Sequence, residues 1–144
     1  MTLDAIVETK KKPATQFGPT SWKHLLKLLG LMVIADKKVY KESVDAYVDA
    51  VMELRAVIDP KLVVTRQMAF DWFFIHKEEL LSIIDGLEYD TALLDIISHF
   101  RNLPHKLDVM TAMVNVAIAD GTYHPRAQLL IKKTILYWLS LIHI

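Results

Sequence analysis

The side chains of this chain that can bind an ion or move a proton are carboxylates and imidazoles. Asp and Glu number 17, His six and Cys none. The absence of thiols excludes disulfides, thiolate metal sites, cysteine nucleophiles and thiol redox chemistry. Oxygen and nitrogen ligation, acid–base work and hydroxyl chemistry remain. Serine nucleophilic catalysis has no signature, because Ser21, Ser43, Ser82, Ser98 and Ser140 lie in no Gly-x-Ser-x-Gly setting. There is no Gly-rich phosphate loop and no His-Glu-x-x-His. His99 follows Asp95 by four residues and Glu79 follows His76 by three, so each pair shares a helix face. The Glu-x-x-His repeat of a carboxylate-bridged bundle does not occur, and these pairs read as surface or interhelical hydrogen bonds. His124 follows Asp120 by four residues across a turn and reads as a cap on the last helix.

Two aspartates stand apart from the other acids. Ile34-Ala35-Asp36 recurs as Ile118-Ala119-Asp120, an offset of 84. Each triplet ends an apolar helical stretch and precedes a short polar turn and a further helical stretch. The same offset pairs Leu25 with Val109, Leu29 with Met113 and Met32 with Val116. In the following stretches it pairs Tyr47 with Ile131, Val51 with Ile135 and Leu54 with Trp138. The pattern predicts two similar helical hairpins joined by residues 60–100. At about 100° per residue, each Asp extends the inward stripe of its helix by one turn. A carboxylate at a helix C-terminus opposes the dipole by about 0.3–1 kcal/mol. Burial adds a desolvation cost, so a partner is required.

Two readings of this pair stand. Asp before Gly121 suits a tight turn whose side chain accepts nearby N–H groups. Alternatively Asp36, Glu42 and Asp120 converge as a small oxygen-ligand metal site, which favours Ca²⁺ or Mg²⁺ over Zn²⁺. Nothing matches the Asp-x-Asp-x-Asp-Gly core of an EF-hand.

The doubled Ala-Asp(-Gly) motif, each copy after a hydrophobic helix and before a helix, resembles the tellurite-resistance TerB family over residues 20–144. The resemblance implies an all-α fold of two pseudo-repeated halves. It implies an acidic site for a metal and a place in cytoplasmic stress-response or membrane-associated complexes. Related domains stand beside DnaJ-like co-chaperone modules, so fold alone does not set a function. The first motif keeps Asp36 and Glu42 and has Lys37 where the family usually has Gly. The second keeps Asp120 and Gly121 and has Arg126 where an acid is usual. Lys37, Lys38 and Arg126 would oppose a cation, and Arg126 could stand in for the ion as an internal salt bridge.

The elements that must position these residues read as helices. Residues 1–18 hold Lys10-Lys11-Lys12-Pro13 and Gly18-Pro19 with no period, which predicts a flexible N-terminal arm before a helical domain over 19–144. The first helix starts near Trp22 and ends at Asp36-Lys37-Lys38. The second runs from Lys41 to Ile58, with Val44, Tyr47, Val48, Val51, Leu54 and Ile58 inward and Glu42, Asp45, Asp49 and Glu53 outward. That acidic stripe is a solvated face, or a docking face for a basic surface. A third helix lies within Lys61–His76 and a fourth within Lys77–Ile84, stopped by Asp85-Gly86. Asp90 or Thr91 caps a fifth through Phe100. Asn102-Leu103-Pro104 opens a sixth ending near Asp120-Gly121, and His124-Pro125 opens a seventh. No stretch alternates in the manner of a strand. The expectation is a compact all-α bundle of about seven helices built from two pseudo-repeated hairpins.

Composition sets the remaining bounds. Its 144 residues, 53% hydrophobic and 24% charged, suit one domain with a sizeable core. Lys+Arg and Asp+Glu are both 17, which argues against nucleic acid as a partner. Charge is uneven: residues 1–41 carry a net +5, 42–100 a net −8 and 101–144 a net +3. The longest stretches free of Asp, Glu, Lys and Arg are Val109–Ala119 and Thr134–Ile144, 11 residues each. A membrane span needs about 20. No signal peptide is visible, so a cytoplasmic location is expected. Phe70-Asp71-Trp72-Phe73-Phe74 reads as core, with any exposed part able to anchor a partner. The function expected is a non-enzymatic interaction module that binds protein partners, with a divalent cation as its cofactor. The alternatives are a purely structural interaction domain with a decayed metal site and, third, an enzyme on a helical bundle.

Overall fold

A computed structural model describes residues 2–8, 17–85, 89–100 and 104–140. They form seven helices: α1 (Leu3–Glu8), α2 (Pro19–Ile34), α3 (Lys41–Ile58), α4 (Arg66–Asp85), α5 (Tyr89–Ser98), α6 (Lys106–Ala117) and α7 (Pro125–Ser140). No strand occurs among the described residues, so the fold is all-α as expected.

α2 is the hub. Leu25, Leu26 and every residue from Leu28 to Ile34 are buried, so the helix is enclosed on all sides and not on one stripe. α1, α3, α4, α5 and α6 all pack against it. α3 and α6 also pack on each other, and α3 closes on α4. Gly30 of α2 faces Leu80 and Trp72 of α4. A Cβ there would meet Leu80 Cδ1 at 2.7 Å, and Leu80 is itself fully buried. The glycine thus leaves the space that the Leu80 side chain of α4 fills against the α2 backbone. Across the α3–α4 seam the Tyr47 hydroxyl donates to the Ala69 carbonyl at 2.8 Å. Burial pushes that phenol's pKa well up. Trp138 of α7 donates its indole N–H to the Ile97 carbonyl at 3.0 Å and ties α7 to α5.

Two expectations change. Residues 3–8 are a helix and not part of a free arm. Leu3 and Val7, one turn apart, are 2% and 0% exposed, and Asp4 accepts from Trp72 Nε1 at 3.0 Å and lies 2.8 Å from His76 Nε2. Six residues are too short to reveal a helical period in sequence, and their apolar pair is satisfied only by packing on α2 and α4. The third and fourth expected helices are one, α4, because neither Gly nor Pro interrupts Lys61–Ile84. The number seven therefore holds with a different membership. Lys10-Lys11-Lys12-Pro13, Gly86 and Asn102-Leu103 lie outside the described residues.

Candidate functional site

The turns after α2 and α6 are built alike. Lys37 N–H donates to the Ile34 carbonyl at 2.8 Å, and Gly121 N–H to the Ile118 carbonyl at 3.0 Å. Lys37 and Gly121 both take positive φ, 69° and 86°. Asp36 Oδ1 accepts from Lys38 N–H at 3.3 Å, and Asp120 Oδ1 accepts from Thr122 N–H at 3.2 Å. The turn role expected for both aspartates is therefore present, as side chains that hold the backbone two residues on. Lys37 turns its ammonium away to an ion pair with Asp85 of α4. That is how a lysine occupies the place of the glycine without opposing the carboxylates.

The second oxygen of each aspartate faces inward, and both meet one ring. His124 Nε2 lies 2.8 Å from Asp120 Oδ2, and His124 Nδ1 lies 3.4 Å from Asp36 Oδ2. Tyr40 donates its hydroxyl to the same Asp36 Oδ2 at 3.3 Å. The Tyr40 and His124 rings stack 5.4 Å apart at 10°. Tyr40 and His124 each stand four residues after their aspartate and one before their helix, again at the offset of 84. The site is a corner where α2, α3, α6 and α7 begin or end, closed by stacked rings.

Its electrostatics follow from that contact. The hydrogen bond to Asp120 and the charge of Asp36 raise the His124 pKa against the cost of burial. The same hydrogen bond, helped by Thr122 N–H, holds the Asp120 carboxyl below the usual range. Burial and the Asp36 charge raise the Tyr40 phenol. An imidazolium with a donor on each ring nitrogen can serve two carboxylates at once. The partner required by two inward carboxylates at helix C-termini is this ring.

Of the three expected ligands, the fold brings Asp36 and Asp120 together and leaves Glu42 exposed on the first turn of α3, with no bond to the corner. Arg126 is exposed and makes no ion pair with either aspartate, so His124 occupies the place expected of Arg126. Nor does His124 cap α7 with its side chain. Only its carbonyl does so, accepting from Gln128 N–H at 3.0 Å. The ring stands between the carboxylates, and among the described residues no group of three His, Asp or Glu side chains is arranged to hold a metal ion.

A second polar cluster lies between α2 and the end of α5. Ser21 Oγ and His99 Nε2 are 2.8 Å apart, and the His24 and His99 rings 4.7 Å. A serine beside an imidazole is the start of a nucleophilic pair. Ser21 is 3% exposed, so its hydroxyl lies within the packed interior. Burial lowers His24 to about 4 and lowers His99. Burial therefore favours the neutral form of both half-buried rings.

The aromatic run divides as its helical phase dictates: Trp72 and Phe73 are buried, Phe70 and Phe74 exposed. No described helix is long and apolar enough to cross a membrane. Compared with models of protein families, with curated proteins and with solved structures, the chain finds no match in any of the three.

Proposed function

We propose that this chain is a non-enzymatic helical interaction module of the TerB-like, stress-response type. Its acidic corner is closed by its own imidazolium, at the place where the resemblance expects a divalent cation. The observation that carries this reading is His124, within 3.4 Å of Asp36 and 2.8 Å of Asp120. One side chain hydrogen-bonds Asp120 and stands within ion-pair distance of Asp36, which supports a corner that needs no metal to fold. A cation entering there displaces the ring. With His124 swung aside the donors that remain are the carboxylates of Asp36 and Asp120, oxygen ligands that suit Ca²⁺ or Mg²⁺ over Zn²⁺. The two grooves along α7 are lined mainly by apolar side chains and are open to the surface, which suits protein contact. Protein partners in the cytoplasm, and no nucleic acid, complete the proposal.

The test pairs calorimetry with capture. The full chain is titrated with Ca²⁺, Mg²⁺ and Zn²⁺ beside Asp36→Ala and Asp120→Ala, and partners are captured from lysate with and without chelator. At about pH 6, where His124 is protonated, no saturable heat is expected up to about millimolar metal. The same partners stay bound in chelator. Saturable binding that both Ala variants lose, with partners released by chelator, would replace this reading with a metal-dependent module.

A further inference from the structure

α4 and α7 each turn outward a band of large apolar side chains that remain exposed among the described residues. On α4, Phe70 and Phe74 are 41% and 44% exposed, and their rings lie 4.8 Å apart. Asp71 and Glu78, also exposed, lie on the same arc of that helix. On α7, Leu129 and Leu136, two turns apart, are 46% and 57% exposed. Lys132 lies between them on the outward arc and Arg126 near its start, both exposed. Residues 125–140 contain three bases and no acid. A groove of about 460 Å³ runs beside α7 along Leu129, Lys132 and Leu136, and another of about 410 Å³ lies between α5 and α7.

The two bands are matched in kind and opposite in charge. One offers aromatic anchors with an acidic rim, the other an aliphatic groove with a basic rim. Apolar anchors that enter a groove carry most of the affinity of a helical contact, and rim charges set which surfaces pair. Pairing α7 with α7 would set base against base. We propose that the occupant of the α7 face is a second copy of this chain, which seats its α4 face there: Phe70 and Phe74 enter the groove, and Asp71 and Glu78 meet Lys132 and Arg126. The contact is heterologous, using a different surface from each copy. This inference rests on the reading of the chain as an interaction module and not on the state of the His124 corner. Metal response tests the corner, and self-association tests these faces.

Sedimentation velocity of the full chain decides it, with Phe74→Lys to spoil the α4 face and Leu136→Glu to spoil the α7 face. Phe70→Lys and Leu129→Glu repeat the design if either variant loses its helical circular dichroism. At about 0.05 M salt the wild type is expected to sediment faster as concentration rises through the micromolar range. At about 1 M salt, where the screening length is about 3 Å, association weakens at least tenfold. Each variant alone stays monomeric. Their equimolar mixture associates again, because one supplies an intact α7 face and the other an intact α4 face. A wild type that stays monomeric at about millimolar concentration overturns the inference. A Phe74→Lys variant that still associates, or a mixture that stays monomeric while the wild type does not, overturns it equally.

Discussion

Truncating Phe73 to Ala is expected to cost about 3–5 kcal/mol of folding free energy. The side chain is 0% exposed, in the middle of α4, with its ring 5.9 Å from that of Tyr47 on α3. α4 packs at once on α1, α2, α3 and α5, so the surroundings cannot collapse into the space without moving several helices. A cavity that stays open costs both the lost transfer free energy and the lost contacts of its lining. Domains are stable by about 5–15 kcal/mol, so this one change removes about a fifth or more of the total. Urea denaturation followed by circular dichroism measures it, with the midpoint lowered and the slope kept. Phe74→Ala, one residue on and exposed, is the control and should cost much less. A Phe73→Ala loss below about 1 kcal/mol would mean that α4 is not seated as described.

Replacing His124 by Gln is expected to cost about 1–2 kcal/mol at about pH 6 and almost nothing at about pH 9. The sign follows from the raised His124 pKa. A group that holds its proton more tightly when folded stabilises fully below its unfolded value of about 6.5. That contribution disappears as pH rises through the folded value. Asp120 works from the other side: its lowered pKa contributes above the ordinary 3.8 and is lost as pH falls through the lowered value. His24 has the sign opposite to His124. Lowered to about 4 by burial and by the neighbouring His99 and Lys27, with Asp95 pulling weakly upward, it destabilises the fold as pH falls from about 6.5 toward 4. The stability profile of the wild type should therefore be a dome, with its acid limb set mainly by His24 and its alkaline limb by His124. Thermal melts across pH should show that His124→Gln flattens the alkaline limb and leaves the acid limb. An alkaline limb unchanged by the substitution would remove His124 from its role.

The helical class and the corner were legible in the sequence for the same reason. Asp36 and Asp120 continue the inward stripes of Leu25–Met32 and Val109–Val116, and a stripe that ends on a carboxylate announces a buried acid in need of a partner. The identity of the partner was less legible. Arg126 offered a full charge, whereas His124 offered only a four-residue spacing from Asp120. The spacing mattered more, because Tyr40 keeps it from Asp36 and the two rings stack. Matching residue 40 to residue 124 at the offset of 84 was the signal available. The likeness of the two turns does not extend to the packing around them. α3 packs on α2, α4 and α6, whereas α7 packs on α5 and α6. α1 escaped because Leu3 and Val7 gain their burial from α2 and α4, which lie distant in the chain. The split assigned at His76-Lys77 had no helix breaker behind it, since residues 61–84 hold neither Gly nor Pro.

In the proposed reading one protonated imidazole, that of His124, holds the two aspartate turns together. Titration of the His124 ring by proton–carbon NMR in the wild type and in Asp120→Asn tests it most directly. The ring is expected to titrate above the ordinary histidine value of about 6.5 in the wild type and to fall back toward it in Asp120→Asn. A wild-type value at or below about 6.5, unmoved by Asp120→Asn, would contradict it.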